Sequence, residues 1–146
     1  MDLLTIEKFD IYRYQLPLKE TFSVKGHKIA QREGLVIMLS DKDGKEGIGE
    51  AAPLPGLSLE NIETVLKELT AFLPKLVGKK ITLDLKAIKD IIFPQAHSVF
   101  LKPSTRSAID MAILNLWANR ADKNLAQILS EETLAQIRID GLMQEE

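Results

Sequence analysis

The stretch Ala108-Ile109-Asp110-Met111-Ala112-Ile113-Leu114-Asn115-Leu116-Trp117-Ala118 decides how this chain must fold. A helix is expected to begin after Pro103, with Ser104 as its cap. Only Asp110 and Asn115 interrupt the apolar residues, and a helix apolar nearly all round must be buried nearly all round. In a chain of 146 residues, one small sheet can cover only one side of it. Something else should cover the other side. With that partner missing, a bare apolar face predicts self-association.

The sheet is expected upstream. Ile6 to Leu18 is rich in β-branched and aromatic residues, and Tyr12, Tyr14, Leu16 and Leu18 fall on one face at period two. Pro17 has no amide hydrogen, so the strand should end there or lie at a sheet edge. Thr21 to Arg32 loses the alternation and contains Gly26, which reads as a long loop. Leu35 to Leu39 is a nearly continuous apolar run, the pattern of a strand covered on both faces. Asp41-Lys42-Asp43-Gly44 supplies a turn, and Glu46 to Ala51 returns as a third antiparallel strand. Gly47 and Gly49 weaken that strand, and their better use is to let another backbone or a ligand approach closely.

Helices follow. Ser58 can cap a first one, in which Leu59, Ile62, Val65, Leu66, Leu69, Phe72, Leu73 and Leu76 recur at helical spacing and Glu63 faces Lys67. Pro74 and Gly78 mark its end. Thr82 can cap a second, with Leu85, Ile88, Ile91 and Ile92 inward and Pro94 as its stop. Beyond the long apolar helix come a short helical segment, Leu125 to Leu129, and a strand signal from Ile137 to Leu142. A lone strand leaves its backbone groups unsatisfied, so it is expected to belong to a second unit whose remainder is absent. The expected class is α+β: a small three-stranded antiparallel sheet followed by a helical bundle over residues 1–122, then a linker helix and one strand of another domain over 123–146.

Composition excludes several function classes. A hydrophobic fraction of 45% and a charged fraction of 27% describe an ordinary globular protein, and a net charge of -2 gives no reason to expect nucleic-acid binding. There is no cysteine, which rules out disulfides and thiolate chemistry and fits a reducing cytoplasm. Met1-Asp2-Leu3-Leu4-Thr5 does not read as a secretory signal, and no apolar run approaches the ~20 residues of a membrane helix.

The search for chemistry is mostly negative. His27 and His97 are the only histidines, and neither has a partner at helical metal-site spacing. Asp41-Lys42-Asp43-Gly44 lacks the distal glutamate of a calcium loop, and neither a P-loop nor a Gly-x-Ser-x-Gly elbow occurs. The carboxylates fall in turns and on exposed helix faces, and Glu50 reads as a structural hydrogen-bonding group. Two segments have the wrong character for plain connectors. Thr21-Phe22-Ser23-Val24-Lys25-Gly26-His27 mixes an aromatic, hydroxyls and a cation; Ala51-Ala52-Pro53-Leu54-Pro55-Gly56-Leu57-Ser58 is apolar yet stiffened by two prolines. Both leave one sheet, so they could converge as a lid.

Leu16-Pro17-Leu18, Arg32-Glu33-Gly34-Leu35 and Gly47-Ile48-Gly49-Glu50-Ala51-Ala52-Pro53-Leu54-Pro55-Gly56-Leu57-Ser58 resemble the amino-terminal capping domain of o-succinylbenzoate synthases, in the enolase superfamily. Pro103 to Ala112 is similar to that family's long capping-domain helix. The resemblance implies a muconate-lactonizing-like enzyme of two parts, a cap and a modified (β/α) barrel, with the long helix between them and Ile137 to Leu142 as the first barrel strand. It implies a Mg²⁺-dependent lyase that dehydrates a succinyl-hydroxycyclohexadiene carboxylate in menaquinone biosynthesis, with barrel lysines and three acidic Mg²⁺ ligands. None of those residues has a counterpart here, so this chain alone is expected to bind no Mg²⁺ and catalyse nothing. What carries over is substrate contact by cap-loop residues: Phe22, Lys25, Leu54, Pro55 and Leu57. The implied partners are the absent barrel and a small carboxylate. Asn115 departs from the family pattern, which often has an aspartate there, and Asp122-Lys123-Asn124-Leu125 replaces a common Gly-x-Pro-Leu stretch. N-acylamino acid racemases and dipeptide epimerases share the cap and form a second reading; a stand-alone binding module is a third.

Overall fold

The computed structural model describes residues 3–84, 101–130, 132 and 136. The expected helix between Thr82 and Pro94 falls mostly outside them, as does the Ile137–Leu142 strand. Thr82 itself ends a strand.

The first two strands are longer than the sequence suggests. β1 runs Leu3–Val24 and β2 runs His27–Asp41, joined by the two-residue turn Lys25-Gly26. Both turn residues have positive φ, 46° and 82°, which matches the twist of a tight hairpin. The expected loop from Thr21 to Arg32 is therefore the outer half of a β-hairpin arm. Its alternation is lost because the arm projects from the core: in residues 18–32 only Ile29 is buried. The register shifts between Pro17↔Gln31 and Phe22↔Ile29, so the strand accommodates Pro17 and continues. Pro17 costs the sheet little, because on its far side β1 is paired only at Leu3–Thr5.

β3 spans Glu46–Ala51 and pairs with β2 from Leu35 to Ser40. A fourth strand, β4 at Lys80–Thr82, pairs antiparallel with the start of β1 and gives the order β3-β2-β1-β4. The sheet thus has four strands rather than three; three residues are too few to show a period. Of the Leu35–Leu39 run, Leu35, Ile37 and Leu39 are fully buried, while Val36 and Met38 are half-buried on the opposite face. One face is sealed and the other is only partly covered.

α1 spans Ile62–Phe72 and one turn of 3₁₀ helix follows at Leu73–Lys75. Its cap is Asn61, whose side chain accepts the Thr64 N–H at 2.9 Å. Ser58 is used elsewhere: its hydroxyl accepts the Leu54 N–H and closes the preceding turn. Glu63 pairs with Arg13 at 2.7 Å, tying the helix to β1.

α2 spans Pro103–Arg120 and α3 spans Leu125–Leu129, the latter closed by a reciprocal Asn124–Gln127 capping box. Ser104 lies inside the first turn of α2, so it cannot cap it. The orphan N–H groups are satisfied from outside instead. Glu68 accepts the Lys102 N–H at 2.9 Å and the Thr105 hydroxyl at 2.5 Å; Glu60 accepts the Ser104 N–H at 2.9 Å and its hydroxyl at 2.5 Å. Two carboxylates at the positive end of a helix are also electrostatically favourable.

The core lies between the sheet and the helices. Leu35, Ile37 and Leu39 meet Val65, Leu69 and Phe72 of α1 and Ala108, Ile109, Ala112, Ile113 and Leu116 of α2. Gly47 and Gly49 serve as expected: a Cβ on Gly49 would lie 1.9 Å from the Ala108 carbonyl oxygen, and one on Gly47 2.1 Å from that of Ala112. The close approach is by another backbone, that of α2. Asn115 secures the same contact from the helix side, donating to the Ile48 and Met111 carbonyls at 3.0 Å. Asn119 donates likewise to the Glu46 carbonyl at 2.6 Å. At the far end, Asp41 is fully buried at its side chain, accepts the N–H groups of Asp43 and Lys45, and pairs with Arg120 at 3.0 Å. That carboxylate is spent on holding a turn. The outer side of α2 is less covered, with Met111 38% exposed and Leu114 half-buried.

Candidate functional site

The two unusual segments meet. The Pro53–Ser58 loop folds into a closed turn: the Leu57 and Ser58 N–H groups donate to the Leu54 carbonyl at 3.0 and 2.8 Å, and the Leu54 N–H returns to Ser58. Gly56, at φ +85°, forms its tip. A Cβ there would lie 2.7 Å from the Val24 carbonyl oxygen and 2.9 Å from the His27 ring. The loop tip therefore rests against the hairpin tip with no room for a side chain. Its base is tied as well, because Arg32 donates to the Ala52 carbonyl at 2.9 Å.

The five sequence-derived candidates sit on these two tips. Phe22 and Leu57 are large apolar side chains left 42% and 56% exposed. Lys25 and Pro55 are exposed and Leu54 is half-buried. Lys25 occupies a left-handed conformation that a side chain disfavours, a strain that recurs at ligand-contacting turns. His27, which has no metal-site spacing, instead packs its ring against Gly56. The sequence gives no direct sign of this contact beyond Gly56 itself.

A second cluster lies on the partly covered sheet face. Tyr14 lays its ring over Gly34 and donates its hydroxyl to Glu50 on β3. Burial and then this hydrogen bond push the phenol up to about 12. Glu50 thus has the structural role its place in a strand suggests. Among the described residues no three His, Asp or Glu side chains come together to hold a metal, so they do not fit a Mg²⁺ site. No helix among them is long and apolar enough to cross a membrane.

A four-stranded antiparallel sheet packed on helices matches, in fold, one class, the amino-terminal capping domains of the enolase superfamily. The L-Ala-D/L-Glu epimerase of Bacillus subtilis superposes with a TM-score of 0.73 at 23% identity, covering 86% of this chain and 34% of that one. A dipeptide epimerase from Enterococcus faecalis V583, complexed with Mg and the dipeptide L-Leu-L-Tyr, gives 0.75 at 23% identity, covering 86% and 34%. At such identities these likenesses concern the fold alone. Within the class, residues 6–94 match the family described as MenC, N-terminal domain, and the chain belongs to that family. It is 39% identical over 67 residues to an o-succinylbenzoate synthase of Vibrio cholerae serotype O1 (strain M66-2), covering 46% of this chain and 20% of that protein. Against the o-succinylbenzoate synthase of Aliivibrio salmonicida (strain LFI1238) it is 45% identical over 60 residues, covering 40% and 18%. The matched part thus spans about a fifth of the length of these relatives.

Proposed function

We propose that this chain is the substrate cap of an o-succinylbenzoate synthase, a Mg²⁺-dependent lyase that dehydrates a succinyl-hydroxycyclohexadiene carboxylate in cytoplasmic menaquinone biosynthesis. The family match and the meeting of the two tips support this reading. A preformed apolar jaw with Lys25 at its rim suits a ring substrate bearing carboxylates. Phe22, Leu54, Pro55 and Leu57 would wall off water from the ring, and Lys25 would hold a carboxylate at the rim. Mg²⁺ would supply charge stabilisation in such a reaction, and its ligands and the proton-moving lysines would lie in a barrel outside this chain. The chain alone would therefore position substrate and catalyse nothing. The groove of about 550 Å³ on the outer side of α2, lined by Leu101, Asp110, Met111, Leu114 and Leu125, would receive that barrel. Burial holds the Asp110 carboxyl above its usual range despite Arg106 at 3.7 Å.

Dipeptide epimerase activity rests only on a fold likeness below 25% identity and gains no support from a specific side chain. A chimera separates the readings. Residues 1–122 replace the cap of the Vibrio cholerae relative, and the product is assayed for dehydration and for dipeptide epimerisation. Dehydration is expected to survive. A folded chimera that epimerises dipeptides, or does neither, overturns the proposal.

A further inference from the structure

β2 is longer than its neighbour. β3 pairs with it only from Leu35 to Ser40, so residues 28–34 present a strand edge with no strand partner among the described residues. Six consecutive residues of this edge, 28 through 33, line a groove of about 540 Å³. At ~3.3 Å per residue they offer roughly 20 Å of backbone. The opposite wall is apolar, with Pro53, Pro55 and Leu59, the last 96% exposed. An open edge beside an apolar wall is the geometry of strand addition, in which main-chain hydrogen bonds hold an extended segment and alternate side chains enter the groove.

The charges specify the segment. Glu33 and Glu60 line the groove, but both are occupied: Glu33 accepts from Arg13 at 2.8 Å and Gln15 at 3.0 Å, and Glu60 accepts from Ser104. Lys28 has no side-chain partner among the described residues, and Arg32 gives one hydrogen bond to a neutral carbonyl. The groove is thus cationic at its strand side. Antiparallel pairing of this edge with a second copy about Ala30 would set Lys28 against Arg32, which disfavours that register.

We propose that the free edge of β2 at residues 28–34 docks an extended peptide segment in which carboxylates alternate with apolar side chains. This goes beyond the capping role: the groove shares Pro55 with the proposed substrate contacts, but its strand edge takes no part in them and needs neither the barrel nor the substrate. The test titrates the ¹⁵N-labelled 146-residue chain with an acetylated Val-Glu-Val-Asp-Val-Glu peptide, and with the same peptide N-methylated at alternate residues. Saturable binding is expected, with slowed amide exchange confined to residues 28–34. N-methylation should weaken it at least about tenfold, since it deletes ladder hydrogen bonds. Lys28→Glu, at an exposed position that leaves the fold intact, should weaken it by about fivefold, and Lys42→Glu, elsewhere on the surface, should not. Three results overturn the proposal: no binding at millimolar peptide, binding indifferent to N-methylation, or exchange protection that rises with protein concentration without peptide. The first means the cations merely guard a bare edge, the second that the groove takes carboxylates without strand pairing, the third that a second copy is the partner.

Discussion

The seam between β3 and α2 and the meeting of the two tips both depend on glycine, but for different ends. At the seam, Gly47 and Gly49 let a helix backbone press on a strand backbone, and the residues they meet there, Ala108, Ala112 and Leu116, are fully buried. At the tips, Gly56 lets a turn rest on a hairpin whose neighbouring side chains are mostly exposed. The first contact is backed by a core and the second by little more than shape. The seam should therefore govern whether the chain folds, and the tips what it holds.

Gly49→Ala tests the seam most severely. The new methyl meets the Ala108 carbonyl, and backbone must move to admit it, so a loss of about 3 kcal/mol or more is expected in urea unfolding. A loss under 1 kcal/mol would mean that α2 does not press on β3.

The carboxylates at the start of α2 come next. Glu68→Gln or Glu60→Gln should each cost about 1–2 kcal/mol at neutral pH, since each carboxylate accepts two hydrogen bonds at the helix start. For Glu60 the sign with pH is fixed. Burial pushes its carboxyl up, but the hydrogen bonds from Ser104 outweigh it and the net shift is down from 4.5. A carboxyl lowered by folding contributes stability that is full above its unfolded value and lost as pH falls through the folded one. Stability should thus decline below about pH 4.5, and Glu60→Gln should flatten that part of the curve.

The tips give the smallest effects on stability. Gly56→Ala should cost about 1 kcal/mol through its positive φ and its clash with the Val24 carbonyl, yet lower substrate affinity of the parent enzyme more than it lowers stability. Lys25→Gly should stabilise slightly, by about half a kcal/mol, because it removes a side chain from a left-handed position. Through the proposed contact with substrate, the same change should raise KM of the parent enzyme. A stabilised chain with unchanged KM would leave Lys25 a turn residue only.

The two sides of the seam were legible in the residues themselves. Two glycines in a returning strand announce a close approach by a backbone or a ligand, and an apolar helix with two polar breaks announces burial; that each is the other's partner was not written in either. The arm was not legible, because period-two alternation exists only where a core enforces it, and residues 18–32 have almost none. Helix starts misled for a related reason. Ser58 and Ser104 have the right side chains for caps, but one closes the preceding turn and the other binds Glu60, choices made by partners distant in sequence. The candidate loops were recognisable from their odd composition, whereas their contact was not, since the only residue that speaks for it is a glycine.

An NOE measurement between the His27 ring proton on Cδ2 and the Gly56 α-protons tests the meeting of the tips directly. The account predicts a strong cross-peak in the chain without ligand, because the loop and the arm are already in contact. No cross-peak, with both tips showing fast independent motion, would contradict it.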